Sequence, residues 1–212
     1  MTNTLSPTDP RSFFAGAVAT AGAAIAAVTP DQLALTTPCP DYDVQTLLGH
    51  LLVVLDRVAL LGEGGDPMAL PPAHTGIAAD AWHSEWMARA HRVQTAWTDP
   101  ARLSAEMVLP WVTAPGAAMM AMYTAELTVH TWDLARATGQ TVAWRDDVVQ
   151  VALTAALQAL QPGDREAGFE AMRAFMPPEL FGPTFPPFRN PVAATDDAPA
   201  IDRLVAWYGR RP

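Results

Sequence analysis

Clusters of helix breakers divide this chain, and the stretches between them are long. Thr29-Pro30, the run Gly62 to Pro67, Asp99-Pro100, Gly139 and Pro162-Gly163 mark the stops. Proline lacks the N–H that a helix interior needs, and glycine takes the left-handed conformation that ends a helix. Between the stops, apolar residues recur at three- and four-residue spacing, the period of a helix with one buried face. Phe14, Val18, Ala21, Ile25 and Val28 set this period in the first stretch, and Trp82, Trp86, Val93 and Trp97 set it in the third.

The pattern predicts a first helix that opens near Pro7–Pro10, with Ser6, Thr8 or Asp9 as the cap, and runs to Val28. A second covers Val44–Leu61, with Asp43 as its cap and Tyr42 and Leu47 as a hydrophobic staple across it. A third covers Gly76–Trp97, a fourth runs from Pro115 to a stop at Gly139, and a fifth spans Arg145–Leu160. LSAEMVLPW, residues 103–111, reads as an extended segment, a short strand or hairpin. The proline-rich residues 177–191 read as an irregular, extended tail, and a last short helix at Ala200–Tyr208 docks on the body. The expected fold is all-α, a four-helix bundle with a short C-terminal extension. Residues 1–162 form the bundle with its site, and 163–212 form the proline-rich tail and the short helix packed on it.

Half of the residues are hydrophobic, enough for a sizeable core. The formal net charge of −9 argues against a nucleic-acid partner, which needs clustered Lys and Arg, and gives no support for binding an anionic membrane surface. Cys39 is the single cysteine, so no internal disulfide forms, which fits a reducing cytoplasm. The apolar run at 15–28 is short for a bilayer span and has helical spacing, so it reads as the first bundle helix. Exposed apolar helix faces permit a homodimer.

The chemistry concentrates in AELTVHTWDLARATGQ, residues 125–140. Glu126 and His130 lie four residues apart, so both leave one helix face about one turn apart. A carboxylate and an imidazole placed that way can share one cation. His50, in the run DVQTLLGHLLVVL, can supply a third ligand from another helix. Two histidines and one carboxylate are typical of a zinc site that keeps a position open for chemistry. An unpaired Glu126 among Ala121, Met122, Ala125, Leu127 and Val129 would be costly to bury, and a metal removes that cost. The plainer reading makes each histidine a hydrogen-bonded core residue and Glu126–His130 a helix pair.

Asp133 follows His130 by three residues. It can accept the other ring N–H of His130, orient His50 across the bundle, or pair with Arg136. His74, His83 and His91 read as structural or surface residues, with His74 also placed to line an entrance. Cys39 lies in a loop between prolines with no adjacent base or positive charge in the sequence, which argues against a nucleophile. Met119, Met120 and Met122 read as core packing.

Two segments carry a resemblance. TTPCPDYDVQTLLGHLL is similar to the TPC-x-x-W-D-V-x-x-L-x-x-H signature of the metal-binding domain of mycothiol-dependent maleylpyruvate isomerases. AELTVHTWDLARATGQ resembles the E-x-x-x-H-x-W-D-L-A-x-A-T-G segment of the same group. The ending DDAPAIDRLVAWYGRRP resembles the tail of a small subfamily of metal-binding proteins. The wider group is the DinB-like bundle superfamily, which includes thiol S-transferases. The resemblance implies a DinB-like four-helix bundle whose metal ligands fall on His50, Glu126 and His130, and an activity as a mycothiol-dependent thiol transferase or isomerase-like enzyme. It implies zinc as the cofactor, with Ni²⁺, Fe²⁺ or Mn²⁺ able to use the same ligands. Mycothiol is then the co-substrate, and the partners are a small thiol and an electrophile. The alternative is a non-catalytic metal or small-molecule binding protein. Tyr42 departs from the signature tryptophan, and residues 163–212 stand where the isomerases carry a separate C-terminal domain.

Overall fold

A computed structural model describes residues 8–40, 42–173, 175 and 188–212. Its described residues are mostly helical, with one small hairpin as the only regular sheet among them. The fold is an all-α, DinB-like bundle.

α1 spans Pro10–Ala26. Proline at its first position has a preset φ and no N–H to leave unsatisfied, and the Asp9 side chain accepts from the Arg11 N–H at 2.8 Å. α2 spans Val44–Glu63, capped by Asp43, whose carboxylate accepts from the Thr46 N–H at 2.8 Å. Gly64 ends it at φ 80°. Tyr42 and Leu47, on either side of that cap in sequence, are both buried in the core. α3 spans Trp82–Ala96, shorter at its start than the sequence pattern predicts. Gly76 sits at φ 75°, outside helical geometry, and a turn closed by the Ala81 N–H on the Ala78 carbonyl precedes the helix.

The extended segment pairs as a hairpin, β1 at Glu106–Leu109 with β2 at Val112–Pro115, in antiparallel register Met107 to Ala114. α4 spans Gly116–Thr138 between Pro115 and the left-handed Gly139. α5 spans Asp146–Ala159, with Asp146 and Asp147 in its first turn, where carboxylates oppose the helix dipole favourably. α6, Arg165–Arg173, is a helix that the sequence pattern does not predict. Of the proline-rich stretch 177–191, residues 177–187 lie outside the described residues, and 188–191 hold no regular element. α7 spans Ala200–Trp207.

α1 packs on α4 and α3, and α2 packs on α3 and α4, so the four helices close a ring. Its core holds Phe14, Leu48, Leu51, Leu55, Trp86, Trp97, Met119 and Leu127. α5 lies on α4, and α7 on α5 and α4, around a second apolar cluster of Val129, Trp132, Leu153, Leu204 and Val205. α4 therefore has packed neighbours on most sides and is largely buried. Its threonines suit that position because each satisfies its own hydroxyl. Thr124, Thr128 and Thr131 donate to carbonyls one turn back at 2.8, 2.7 and 2.6 Å. α2 is long and apolar enough to cross a membrane, but 78% of its most apolar window is buried inside the protein, as in a bundle core helix.

Candidate metal centre

α4 carries Glu126, His130 and Asp133 on one face, and α2 brings His50 to meet them. The His50 Nε2 lies 3.3 Å from Glu126 Oε1. The His50 and His130 rings meet edge to face, with centroids 4.8 Å apart and planes at 80°. One ligand atom each from His50, Glu126 and His130 fall within 4.8 Å of one another. Tetrahedral ligation at the usual bond lengths needs edges of about 3.4 Å. The His50–Glu126 edge already has that length. The three side chains named from the sequence thus lie together with donor types that suit a divalent cation.

Each histidine is held from behind. His50 Nδ1 lies 2.8 Å from the Pro72 carbonyl, which can only accept, so Nδ1 carries the proton. His130 Nδ1 lies 3.1 Å from Asp133 Oδ2. Asp133 is ionised. Burial opposes that state, but hydrogen bonding from His130 and the Arg210 guanidinium outweigh it and hold the carboxyl below its ordinary range. His130 Nδ1 therefore also donates. In the neutral form of both rings, the lone pair then sits on Nε2.

Burial, opposed by the hydrogen bond to Asp133, lowers the His130 pKa and keeps the ring neutral. Burial also opposes ionisation of Glu126, but the opposing effects, led by the hydrogen bond with His50, hold its pKa below the usual value. Glu126 is the most open of the three, with 30% of its side chain exposed against 11% for His50 and 13% for His130. Its charge acts on the buried Tyr123 and Tyr208. Burial first, and the Glu126 charge second, push both phenol pKa values well up, so each hydroxyl keeps its proton.

The arm behind His50 is a loop seated on α2. A Cβ at Gly49 would lie 2.2 Å from the His74 carbonyl oxygen, so only glycine allows this approach, and the His74 N–H donates to the Gly49 carbonyl at 3.1 Å. The His74 Nε2 bonds Asp56 Oδ2 at 2.8 Å. Arg89 and Arg92 bind the same buried carboxylate at 2.9 and 3.2 Å. His74 thus pins the loop rather than lining an entrance. His83 and His91 are exposed on α3, and Met119 and Met120 are buried core residues. Tyr42, beyond its place beside the α2 cap, tilts its ring over His50 at 5.4 Å between centroids.

Of the partners that its spacing left open, Asp133 meets His130. Asp133 does not pair with Arg136, whose guanidinium lies over the Trp132 ring at 5.4 Å. Asp133 is fully buried and takes both ends of a fork from Arg210, at 3.1 Å from Nε to Oδ1 and 2.8 Å from NH2 to Oδ2. Cys39 also has different surroundings from those its sequence neighbours suggest. Its thiol lies within 4.8 Å of ligand atoms of His130 and Asp133. These neighbours come from α4, far away in sequence. Arg210, Pro72 and the surroundings of Cys39 are the parts of the site that sequence reasoning missed. Nothing in local spacing could have given the first, and a backbone carbonyl leaves no side-chain signature.

The chain is 29% identical over 188 residues to two uncharacterised Mycobacterium tuberculosis proteins, MT0763 of strain CDC 1551 / Oshkosh and Rv0738 of strain ATCC 25618 / H37Rv. Each match covers 89% of this chain and 90% of the relative. No solved structure gives a significant match. The model of the mycothiol maleylpyruvate isomerase N-terminal domain matches residues 14–135, more than half of the chain and a span that includes His50, Glu126, His130 and Asp133. The chain belongs to the mycothiol maleylpyruvate isomerase N-terminal domain family.

Proposed function

We propose that this protein holds a divalent metal ion, zinc foremost, on His50, Glu126 and His130, and uses it to activate a small thiol. The activated thiol is then transferred to an electrophile, or isomerises it by reversible addition to a double bond. One observation carries the metal reading. His50 donates Nδ1–H to Pro72, so its Nε2 lone pair faces the Glu126 carboxylate at 3.3 Å. Two acceptors at that distance repel unless a positive charge lies between them, either a proton or a metal ion. The Nε2 of His130, fixed the same way from behind, turns that pair into a three-donor set.

When bound, such an ion supplies Lewis acidity that lowers the pKa of a coordinating thiol from about 8.5 to below neutrality. The protein side of the work is positional. His50 and His130 present fixed lone pairs, and Glu126 offsets one unit of the ion's charge. The family name supports mycothiol as the thiol. Ni²⁺, Fe²⁺ and Mn²⁺ suit the same ligands, and a cytoplasmic setting fits the single thiol.

The test is thiol-dependent turnover. Zinc-loaded protein should join mycothiol to chlorodinitrobenzene, or isomerise maleylpyruvate, and His50→Ala should abolish both. Loaded protein without thiol-dependent turnover across a broad electrophile panel would sink the enzymatic part. A second reading, a non-catalytic metal or small-molecule binding protein, is favoured by the low exposure of His50 and His130. It predicts full metal loading with no turnover.

A further inference from the structure

We infer that Arg210, two residues from the C-terminal end of this sequence, is a positioning residue of the metal centre. It fixes the Asp133 carboxylate that orients His130, and so makes the C-terminal segment a working part of the site. This rests on the metal reading above. Among the described residues Arg210 and Asp133 form a buried, two-toothed ion pair, with the carboxylate fully buried and Arg210 8% exposed. The two bonds occupy both carboxylate oxygens. Oδ2 receives the His130 ring N–H as well as the Arg210 NH2. A carboxylate gripped on both oxygens has one orientation left, and the His130 ring inherits it.

The backbone delivers Arg210 by a defined turn. α7 ends in a Schellman arrangement, with the Gly209 N–H on the Ala206 carbonyl at 2.9 Å and the Arg210 N–H on the Val205 carbonyl at 2.9 Å. Gly209 takes φ 83°, and a Cβ there would lie 2.6 Å from Arg189 Cβ and 2.8 Å from the Asn190 carbonyl oxygen. The reversal therefore needs glycine on both conformational and steric grounds. The remaining fork nitrogen, NH1, donates to the Tyr208 carbonyl at 2.8 Å, which locks the guanidinium plane. α7 itself is held to α5 by the Trp207 indole N–H on the Ala156 carbonyl at 3.0 Å. The whole chain end thus bears on one ligand's orientation. Cys39 and Tyr208 are the other titratable groups that act on Arg210.

The experiment measures zinc affinity by chelator competition and the visible spectrum of the cobalt-substituted full chain. The set is the unaltered protein, Arg210→Met, Arg210→Lys, Asp133→Asn and the Arg210→Met/Asp133→Asn double variant. Arg145→Met removes a half-exposed arginine paired with Asp147 and serves as control. Arg210→Met should weaken zinc binding about 10- to 100-fold and change the cobalt spectrum, as loss of a residue behind a ligand does. Arg210→Lys keeps the charge but not the fork and should fall between. If Arg210→Met does not fold, the lysine variant carries the test. Because Arg210 acts through Asp133, the double variant should bind no more weakly than Asp133→Asn alone.

Zinc affinity and a cobalt spectrum in the Arg210 variants matching the unaltered protein would overturn the inference. So would full additivity with Asp133→Asn, or an equal loss in Arg145→Met. Each of those results leaves the metal reading standing. Failure of the unaltered protein to bind zinc takes both down.

Discussion

The two histidines of the site are held by arms of opposite character. His50 leans on a neutral backbone carbonyl, Pro72, carried by a loop that is seated on Gly49 and pinned through His74 to Asp56. His130 leans on a buried carboxylate from its own helix, and that carboxylate is held by an arginine from the far end of the chain. The difference is one of cost when a part is removed. A carbonyl that loses its donor is left with a second lone-pair site open or finds water. A buried carboxylate that loses its arginine is left as an uncompensated charge. The loop arm sets a tautomer cheaply, whereas the charged arm sets an orientation and ties stability to the site.

Substitutions in the ligands and in the two arms should differ in size. Removing a ligand comes first. His50→Ala, Glu126→Ala and His130→Ala should each lower metal affinity by more than the roughly 10- to 100-fold expected of a residue behind a ligand, as read by isothermal titration. The charged arm comes next. Asp133→Ala leaves Arg210 buried without its partner and should cost about 3–5 kcal/mol in denaturant unfolding of the metal-free protein. The same change should weaken metal binding, because His130 loses its acceptor. A stability loss under about 1 kcal/mol would mean that the pair carries little of the fold.

The loop arm should yield less. His74→Ala leaves Asp56 paired with Arg89 and Arg92, so it should cost about 1 kcal/mol and reduce metal affinity only slightly. Gly49→Ala is the stronger probe of that arm, because the new Cβ pushes on backbone rather than on a flexible side chain. It should cost about 1–3 kcal/mol, and a neutral outcome would show that the loop seat is not needed. A combined loss for His74→Ala larger than for Asp133→Ala would reverse the ranking of the arms.

The smallest effect is the pH dependence of the metal-free protein. Both His130 and Asp133 have folded pKa values below their ordinary ones of 6.5 and 3.8. The unfolded chain therefore binds the extra proton first as pH falls, and stability must fall with it. The His130 contribution is complete above pH 6.5 and is lost as pH drops below it. The Asp133 contribution is complete above pH 3.8 and is lost only below that. Denaturant midpoints followed downward from pH 8 should show the first decline near pH 6.5, and His130→Gln should remove it. Metal affinity should fall over the same range, because a protonated ring cannot ligate.

Most of the bundle was legible from the chain because each helix announces itself locally. Asp9, Asp43, Pro115, Gly64 and Gly139 sit where caps and stops belong, and the apolar period runs true between them. The start of α3 is less legible, because Ala78 and Ala79 favour a helix while Gly76, at φ 75°, does not enter one. α6 escaped because it is short, polar and mostly exposed, so its period carries little signal. His50, Glu126 and His130 were legible because four-residue spacing and an apolar setting mark a polar group that needs a partner. Their supports were not. Pro72 contributes only backbone, and Arg210 reaches Asp133 across 77 positions, a contact that only tertiary packing creates.

His50, Glu126 and His130 are proposed to hold one metal ion together. Elemental analysis of the purified protein, paired with zinc titration of the chelator-treated form, tests it most directly. The prediction is close to one divalent ion per chain, recovered on titration, with a higher melting temperature when loaded and no uptake in a His50→Ala/Glu126→Ala double variant. Protein that takes up no zinc, and whose melting is the same with zinc and with chelator, would contradict it.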